Sequence, residues 1–334
     1  MRRFFPGVMA ILLSLSALPA QEMPDAEMTE SIGIFPLALV LEAAGLTGEE
    51  YNKGNDNFWR PDWPLELPPD SFMVRNGKLS EAAVFGDGVS LVLRYDPEGR
   101  VEEFPFMLNG NIVRVSLMYR GGLEIHAMDL SFESEEDVYR FEFLEYLDSY
   151  PSLVRASYGE LWCFVSLSKR GNVIMETWYD EEGIALGAYA FSLIKIGENT
   201  RISAVRDYSN RDGFVEYFYD SRNLLTESSG FNGVFKVLYF LEDLPRYWER
   251  RPANSNGAGN FALQWDENGF LLRITADTYP ADTYPADSRV DYRYEYTVDE
   301  RGNWIERREI RMISRFGLLV PSPGTTFTRV LEYN

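Results

Sequence analysis

The sequence predicts a mainly β protein: a meandering series of antiparallel hairpins in a single large curved sheet or open half-barrel, with one or two short helices. Three observations predict it. From about Val84 onward, short apolar-alternating runs are separated by turn-forming residues, the period-two pattern of half-buried strands. Five of the separators share one motif: an aromatic or apolar residue, an aspartate, two turn residues, then glycine or asparagine. Lastly, 15% aromatic and 45% hydrophobic side chains supply one large core or two smaller ones. Cys163 is the only cysteine, so packing rather than an internal disulfide must hold the fold.

Residues 1–20 have the parts of a secretory signal: Arg2 and Arg3, an apolar run from about Val8 to Leu18, and small residues Ala17 and Ala20. The chain is therefore expected to be exported, to a periplasm, an outer surface or the medium. No later segment is long and apolar enough to cross a bilayer as a helix. Residues 21–83 read as an N-terminal helix and strap. "FPLALVLEAAGLTGEEY", from Phe35, predicts a short helix ending near Gly45. The strap "NFWRPDWPLELPPDSF" carries prolines at 61, 64, 68 and 69, too dense for a central strand. Residues 84–334 form the β-hairpin domain, with one interruption. In "SEEDVYRFEFLEYLDSYP", Ser134 and Asp137 form an N-cap signature, and Val138, Phe141, Leu144 and Leu147 recur at helical spacing. That spacing predicts a helix over 135–149. "ADTYPADTYPAD" (276–287) is a tandem copy placed in a surface loop.

The five turns are Asp96 to Gly99, Asp180 to Gly183, Asp220 to Asn223, Asp266 to Gly269 and Asp299 to Gly302. Aspartate opens such a turn because its carboxylate accepts from backbone N–H groups just ahead. Glycine, or the tolerated asparagine, takes the left-handed conformation that closes it. In "VDERGNWIERREI" a three-residue loop pairs Glu295 with Arg307, Arg293 with Glu309 and Asp291 with Arg311. That register predicts a water-facing charge ladder on one face and Val298, Trp304 and tyrosines on the other.

"RYDPEGRVEEF", "WYDEEGIALGAY", "FYDSRNLLTES", "QWDENGFLLRIT" and "TVDERGNWIERRE" resemble the tyrosine–aspartate (YD, or RHS) repeats of bacterial surface and exported proteins. They are also similar to MORN-type hairpin repeats. The resemblance covers roughly residues 85–334 and is carried by the turns. It implies a hairpin-repeat architecture; the uneven spacing of the aspartates departs from a regular repeat.

With 32 basic and 52 acidic side chains, net −20, the chain repels phosphate backbones, so no nucleic-acid partner is expected. One cysteine and one histidine, His126, cannot build the usual zinc sites. Gly257-x-Gly259-x-x-Ala262 lacks the strand and helix of a dinucleotide site. Ser166-x-x-Lys169 leads into a turn rather than opening a helix. The acidic pairs Glu181–Glu182, Glu135–Glu136 and Glu102–Glu103 are the only candidates for glycoside hydrolysis. No catalytic, cofactor-binding or metal-ligating residue is assigned. The expected role is a non-enzymatic binding or scaffold protein meeting a cell-envelope glycan or protein through exposed rings, with Trp59, Trp63, Tyr279 and Tyr284 as candidate binding aromatics. The alternative is a carrier of lipid or hydrophobic peptide in a cavity of the curved sheet.

Overall fold

The computed structural model describes residues 34–45 and 77–334, except for short connecting loops and the 279–288 segment. Among the described residues one helix, α1 (Leu37–Ala43), precedes twenty strands: β1 (Leu79–Gly86), β2 (Val89–Tyr95), β3 (Val101–Leu108), β4 (Asn111–Gly121), β5 (Glu124–Phe132), β6 (Val138–Leu147), β7 (Tyr150–Tyr158), β8 (Leu161–Arg170), β9 (Val173–Tyr179), β10 (Ala185–Ile196), β11 (Asn199–Asp207), β12 (Phe214–Tyr219), β13 (Leu225–Gly230), β14 (Gly233–Tyr239), β15 (Pro245–Pro252), β16 (Gly259–Trp265), β17 (Leu271–Thr278), β18 (Arg289–Val298), β19 (Trp304–Arg315) and β20 (Leu318–Tyr333). β1 thus begins ahead of residue 84.

Each strand pairs antiparallel with the next, and β20 pairs with β1 through Ala82↔Leu331 and Val84↔Arg329. The sheet is therefore a closed barrel. The mainly β meander stands, but the open sheet or half-barrel does not. Turn signals specify which strands are neighbours in sequence; they carry no information on whether the first meets the last. Closure gives the outer edges of β1 and β20 to each other, which removes two unpaired backbone rows.

The expected 135–149 helix is also corrected, because β6 occupies that stretch and pairs with β5 and β7. Its i, i+3 apolar spacing overlaps an i, i+2 alternation. Tyr139, Phe141 and Phe143 turn inward, while Leu147 is 63% exposed. Pairing on both sides overrides the local helix signal. The helix expected after Phe35 is present as α1, and Gly45 beyond it has φ +80°.

All five aspartate turns close in the same way. In each, the aspartate N–H bonds to the carbonyl four residues on, and the glycine or Asn223 N–H bonds back to the aspartate carbonyl. The carboxylate accepts the N–H of that fourth residue: Arg100, Ile184, Leu224, Phe270 and Asn303. A bulge then follows one residue into the outgoing strand in every case. That bulge overturns the expected charge ladder. The hairpin of β18 and β19 pairs Val298↔Trp304 but then Thr297↔Glu306, Glu295↔Arg308 and Tyr294↔Glu309. The one-residue slip sends Arg307 and Glu309 inward. Both are buried. Arg307 stands over the rings of Phe327 (4.7 Å), Trp304 (5.3 Å) and Tyr294 (5.6 Å), a cation–π arrangement.

Strands alternate direction, so the turns after β2, β12, β16 and β18 share one end, and the Asp180 turn lies at the other. The first end is tied by a repeated bond. Tyr119, Tyr146, Tyr219 and Tyr296, near the ends of even-numbered strands, each donate their hydroxyl to a carbonyl near the start of the preceding strand. Trp265 Nε1 does the same to Pro245. The interior is packed rather than hollow at the positions described: Trp178, Trp248, Trp304, Phe104, Phe141, Phe191, Phe261 and Phe327 are all fully buried. α1 lies against the inward faces of β9 and β11. Leu37, Ala38, Val40, Leu41 and Ala44 are all buried, as an all-round apolar helix requires. Among the described residues no helix is long and apolar enough to cross a membrane.

Close strand approach gives one direct test. At Gly230, a Cβ would stand 2.2 Å from the Phe214 carbonyl oxygen and 2.7 Å from Val215 Cα. Gly230→Ala is expected to cost about 1–3 kcal/mol by overpacking. A urea unfolding midpoint equal to wild type would contradict this packing.

Candidate functional site

A candidate ligand site lies where the barrel wall parts. β2 and β3 pair only at Arg94↔Glu103 and Tyr95↔Val101, beside the Asp96 turn. Beyond that, β2 stays on β1 through Val89 and β3 stays on β4 through Leu108. Pro105 stands where the two strands diverge and has no N–H to offer a neighbour. A cavity of about 460 Å³ opens in this seam, lined by Ser90, Leu91, Val92, Pro105, Ile112, Val113, Arg114, Ser131 and Phe132. Leu91 and Val113 belong to the buried inward face, while Val92, Ile112 and Ser131 are only partly covered. The cleft therefore reaches from the outer surface to the first inward layer.

Its charge is organised by cross-strand pairs. Arg94 bonds Glu81 at 2.7 Å and Glu103 at 2.9 Å, and Arg114 Nε approaches Glu103 at 3.3 Å. The bond to Glu81, with Glu103 adding to it, holds the Arg94 guanidinium above its ordinary value. Arg114 thus brings a cation, held by its own carboxylate partner, to a cleft whose lining mixes apolar and polar surface and includes Ser90 and Ser131. Such a lining suits an apolar body carrying one anionic or hydrogen-bond-accepting head.

The second organised group is inside the barrel, facing α1 rather than the seam. Glu176 on β9 is fully buried and accepts three bonds: from the backbone N–H of Leu37 (3.0 Å), that of Ala38 (2.9 Å) and the Trp178 indole (2.8 Å). Pro36 precedes the helix without a side-chain cap, so a carboxylate from the wall satisfies the first-turn donors. At the other end, Glu42 accepts the Ile202 N–H at 3.2 Å and lies 3.8 Å from Arg201. Burial pushes the Glu176 carboxyl up to about 7, against the three donors. Burial, with the charge of Glu176 added, also raises the hydroxyls of Tyr150 on β7 and Tyr189 on β10. Glu176 was legible in "VIMETWY", where it shares the inward parity of Ile174 and Trp178; being single, it falls outside a search for paired carboxylates.

The ten turn residues from Asp96 to Gly302 sit in five separate hairpins and form no common site. Trp59, Trp63, Tyr279 and Tyr284 lie outside the described residues, as do the leader, the proline strap, Glu135–Glu136 and Gly257. Glu181 and Glu182 are exposed in their turn, and Glu103 is engaged by arginines. Ser166 and Lys169 fall on β8, not on a helix. His126 Nδ1 lies 3.2 Å from Arg120. Cys163 is buried, and burial pushes its thiol up to about 11. Among the described residues, no group of three or more His, Cys, Asp and Glu is placed to hold a metal ion.

No protein-family model matches the chain, and no curated protein does. Among solved structures, a porin-like protein from Bacteroides uniformis aligns over 77% of this chain and 98% of its own, at 10% identity and a TM-score of 0.28. A porin-like protein from Bacteroides vulgatus aligns over 78% and 99%, at 11% identity and 0.24. A TcdB2–TccC3–Cdc42 structure aligns over 66% of this chain and 15% of its own, at 10% identity and 0.28. At these scores the likenesses carry no argument about this chain.

The Glu176 contact has a pH signature. Its carboxyl titrates near 4.5 when unperturbed and near 7 when folded. Between those values the folded state holds a proton that the unfolded state has released. Stability from this group is therefore full below about 4.5 and falls as pH rises to about 7, by about 3 kcal/mol. Glu176→Gln removes that slope while leaving one amide N–H without an acceptor, at a cost of about 1–3 kcal/mol. Urea unfolding of both proteins between pH 4.5 and 8 tests this; parallel stability curves would contradict it.

Proposed function

We propose that the protein is an exported, non-enzymatic binding protein that works in water and takes a small amphiphile in the seam between β2 and β3. The observation that carries the reading is the 460 Å³ cleft, lined by Leu91, Val92, Ile112, Val113 and Phe132 with Arg114 among them. The carrier pictured from the sequence had an empty concave face closed by a helix. Residues 138–147 form strand β6, so no helix from that stretch closes such a face, and the cleft favours a site in the wall.

The outward faces support an aqueous setting. Ion pairs recur across β1 to β7: Glu81–Arg94–Glu103–Arg114, then Asp129–Arg140–Glu142–Arg155. Further round stand Glu227–Lys236, Glu249–Arg251 and Arg273–Asp291–Arg293. A bilayer-spanning barrel presents an apolar outer band, where an arginine or lysine at the midplane costs about 2–4 kcal/mol. This wall instead carries ion pairs on its outward face at those positions. The signal-like first twenty residues support export.

Dodecanoate and dodecanol serve as probes in isothermal titration calorimetry. Dodecanoate is expected to bind saturably at one site. Ile112→Trp fills the cleft and abolishes binding of both probes. Arg114→Gln leaves Glu103 paired with Arg94, weakens dodecanoate about tenfold and leaves dodecanol unchanged. Absence of saturable binding, or binding indifferent to Ile112→Trp, would contradict the reading.

A further inference from the structure

The hairpin of β19 and β20 runs on beyond its described pairings with β18 and β1. The last partner of β19 on β18 is Arg311, and that of β20 on β1 is Thr328. Beyond those points the two strands pair with each other, Met312↔Pro321 through Arg315↔Leu318. The arm is about 15 Å long past Arg311, at about 3.4 Å per residue. Its tip is Phe316-Gly317, a two-residue turn with φ of +53° and +78°, the I′ geometry that favours asparagine or glycine at the first position. A phenylalanine there is strained. It is also fully exposed, and Leu318 and Leu319 are 71% and 51% exposed. Strain and exposure together are costs that packing does not repay at this position, and an outlier of this kind points to function.

We propose that this arm is a membrane-interface anchor: Phe316, Leu318 and Leu319 enter the headgroup–acyl boundary of a bilayer, with Arg315 at the lipid phosphates. Two observations favour lipid over a protein groove. Leu318 and Leu319 are consecutive in a strand, so the tip is apolar on both faces; a bilayer takes both faces, whereas a groove fits one. From Met312 to Thr328 the chain carries one arginine and no carboxylate, although the whole chain has net charge −20. Because strands alternate direction, the tip lies at the barrel end toward which the β2/β3 seam parts. The anchor stands independently of what the seam binds.

The test is co-sedimentation of the full chain with vesicles of phosphatidylcholine and phosphatidylglycerol, and with phosphatidylcholine alone. Wild type is expected to sediment with both, more strongly with the anionic mixture. Phe316→Asn gives the turn its favoured Asn-Gly pair, so it keeps or raises Tm. It is expected to lose at least about tenfold in vesicle affinity, and Leu318→Ser with Leu319→Ser to lose more. A fluorophore on Phe316→Cys, labelled while the buried Cys163 stays unreactive, should blue-shift on vesicle addition. Ile112→Trp leaves vesicle binding unchanged, which separates this inference from the seam reading. Failure of wild type to sediment, or sedimentation of Phe316→Asn equal to wild type, overturns the proposal. So does a label that stays water-exposed, as an arm built for a protein groove would show.

Discussion

The pairing of β20 with β1 is the constraint on which the rest depends. Once the last strand meets the first, every strand has two neighbours, and every side chain faces either in or out. The twenty alternating strands then sort themselves without exception available at an edge. Rings such as Trp178, Trp248 and Phe261 fall inward, and arginines and glutamates largely fall outward. α1 lies against the inward faces of β9 and β11. A helix packed inside a sheet brings first-turn donors that cannot reach water, which is why the wall supplies Glu176 to accept them; at the other end the wall's Ile202 N–H donates to Glu42.

Much of this was legible along the chain. The aspartate turns, the meander, the early helix and the lone buried cysteine all follow from local residue chemistry. Two things were not. The bulge after each turn leaves no residue signature, since positions as different as Glu102, Leu186, Thr226, Leu272 and Ile305 carry it. Its effect is large, because one slipped residue exchanges the faces of Arg307 and Arg308. The β6 segment failed for another reason: a run rich in apolar residues satisfies helix and strand periods together, and only its partners β5 and β7 decide.

The candidate sites show the same division. Ser90, Ile112 and Arg114 come together because two strands diverge after two paired residues, and divergence is a property of the register rather than of any motif. The arm at Phe316 was readable in principle. "SRFGLLVPSP" places a phenylalanine before a glycine at a hairpin apex, in a stretch without carboxylates. Its meaning needed the exposures, since exposed single apolar residues are ordinary and only their clustering at a projecting tip is not. Both features sit at one end of the barrel, the seam in its wall and the arm at its rim.

Closure itself is open to a direct measurement. Ala83 on β1 and Val330 on β20 are register partners, and cross-strand partners stand within reach of a disulfide. With Cys163 buried and its thiol raised to about 11, a chain carrying Ala83→Cys and Val330→Cys can be oxidised and examined by non-reducing electrophoresis and peptide mass. A closed barrel predicts rapid, concentration-independent formation of one intramolecular 83–330 disulfide. Free thiols after oxidation, or cross-links only between molecules, would show that β1 and β20 do not meet and would contradict the account.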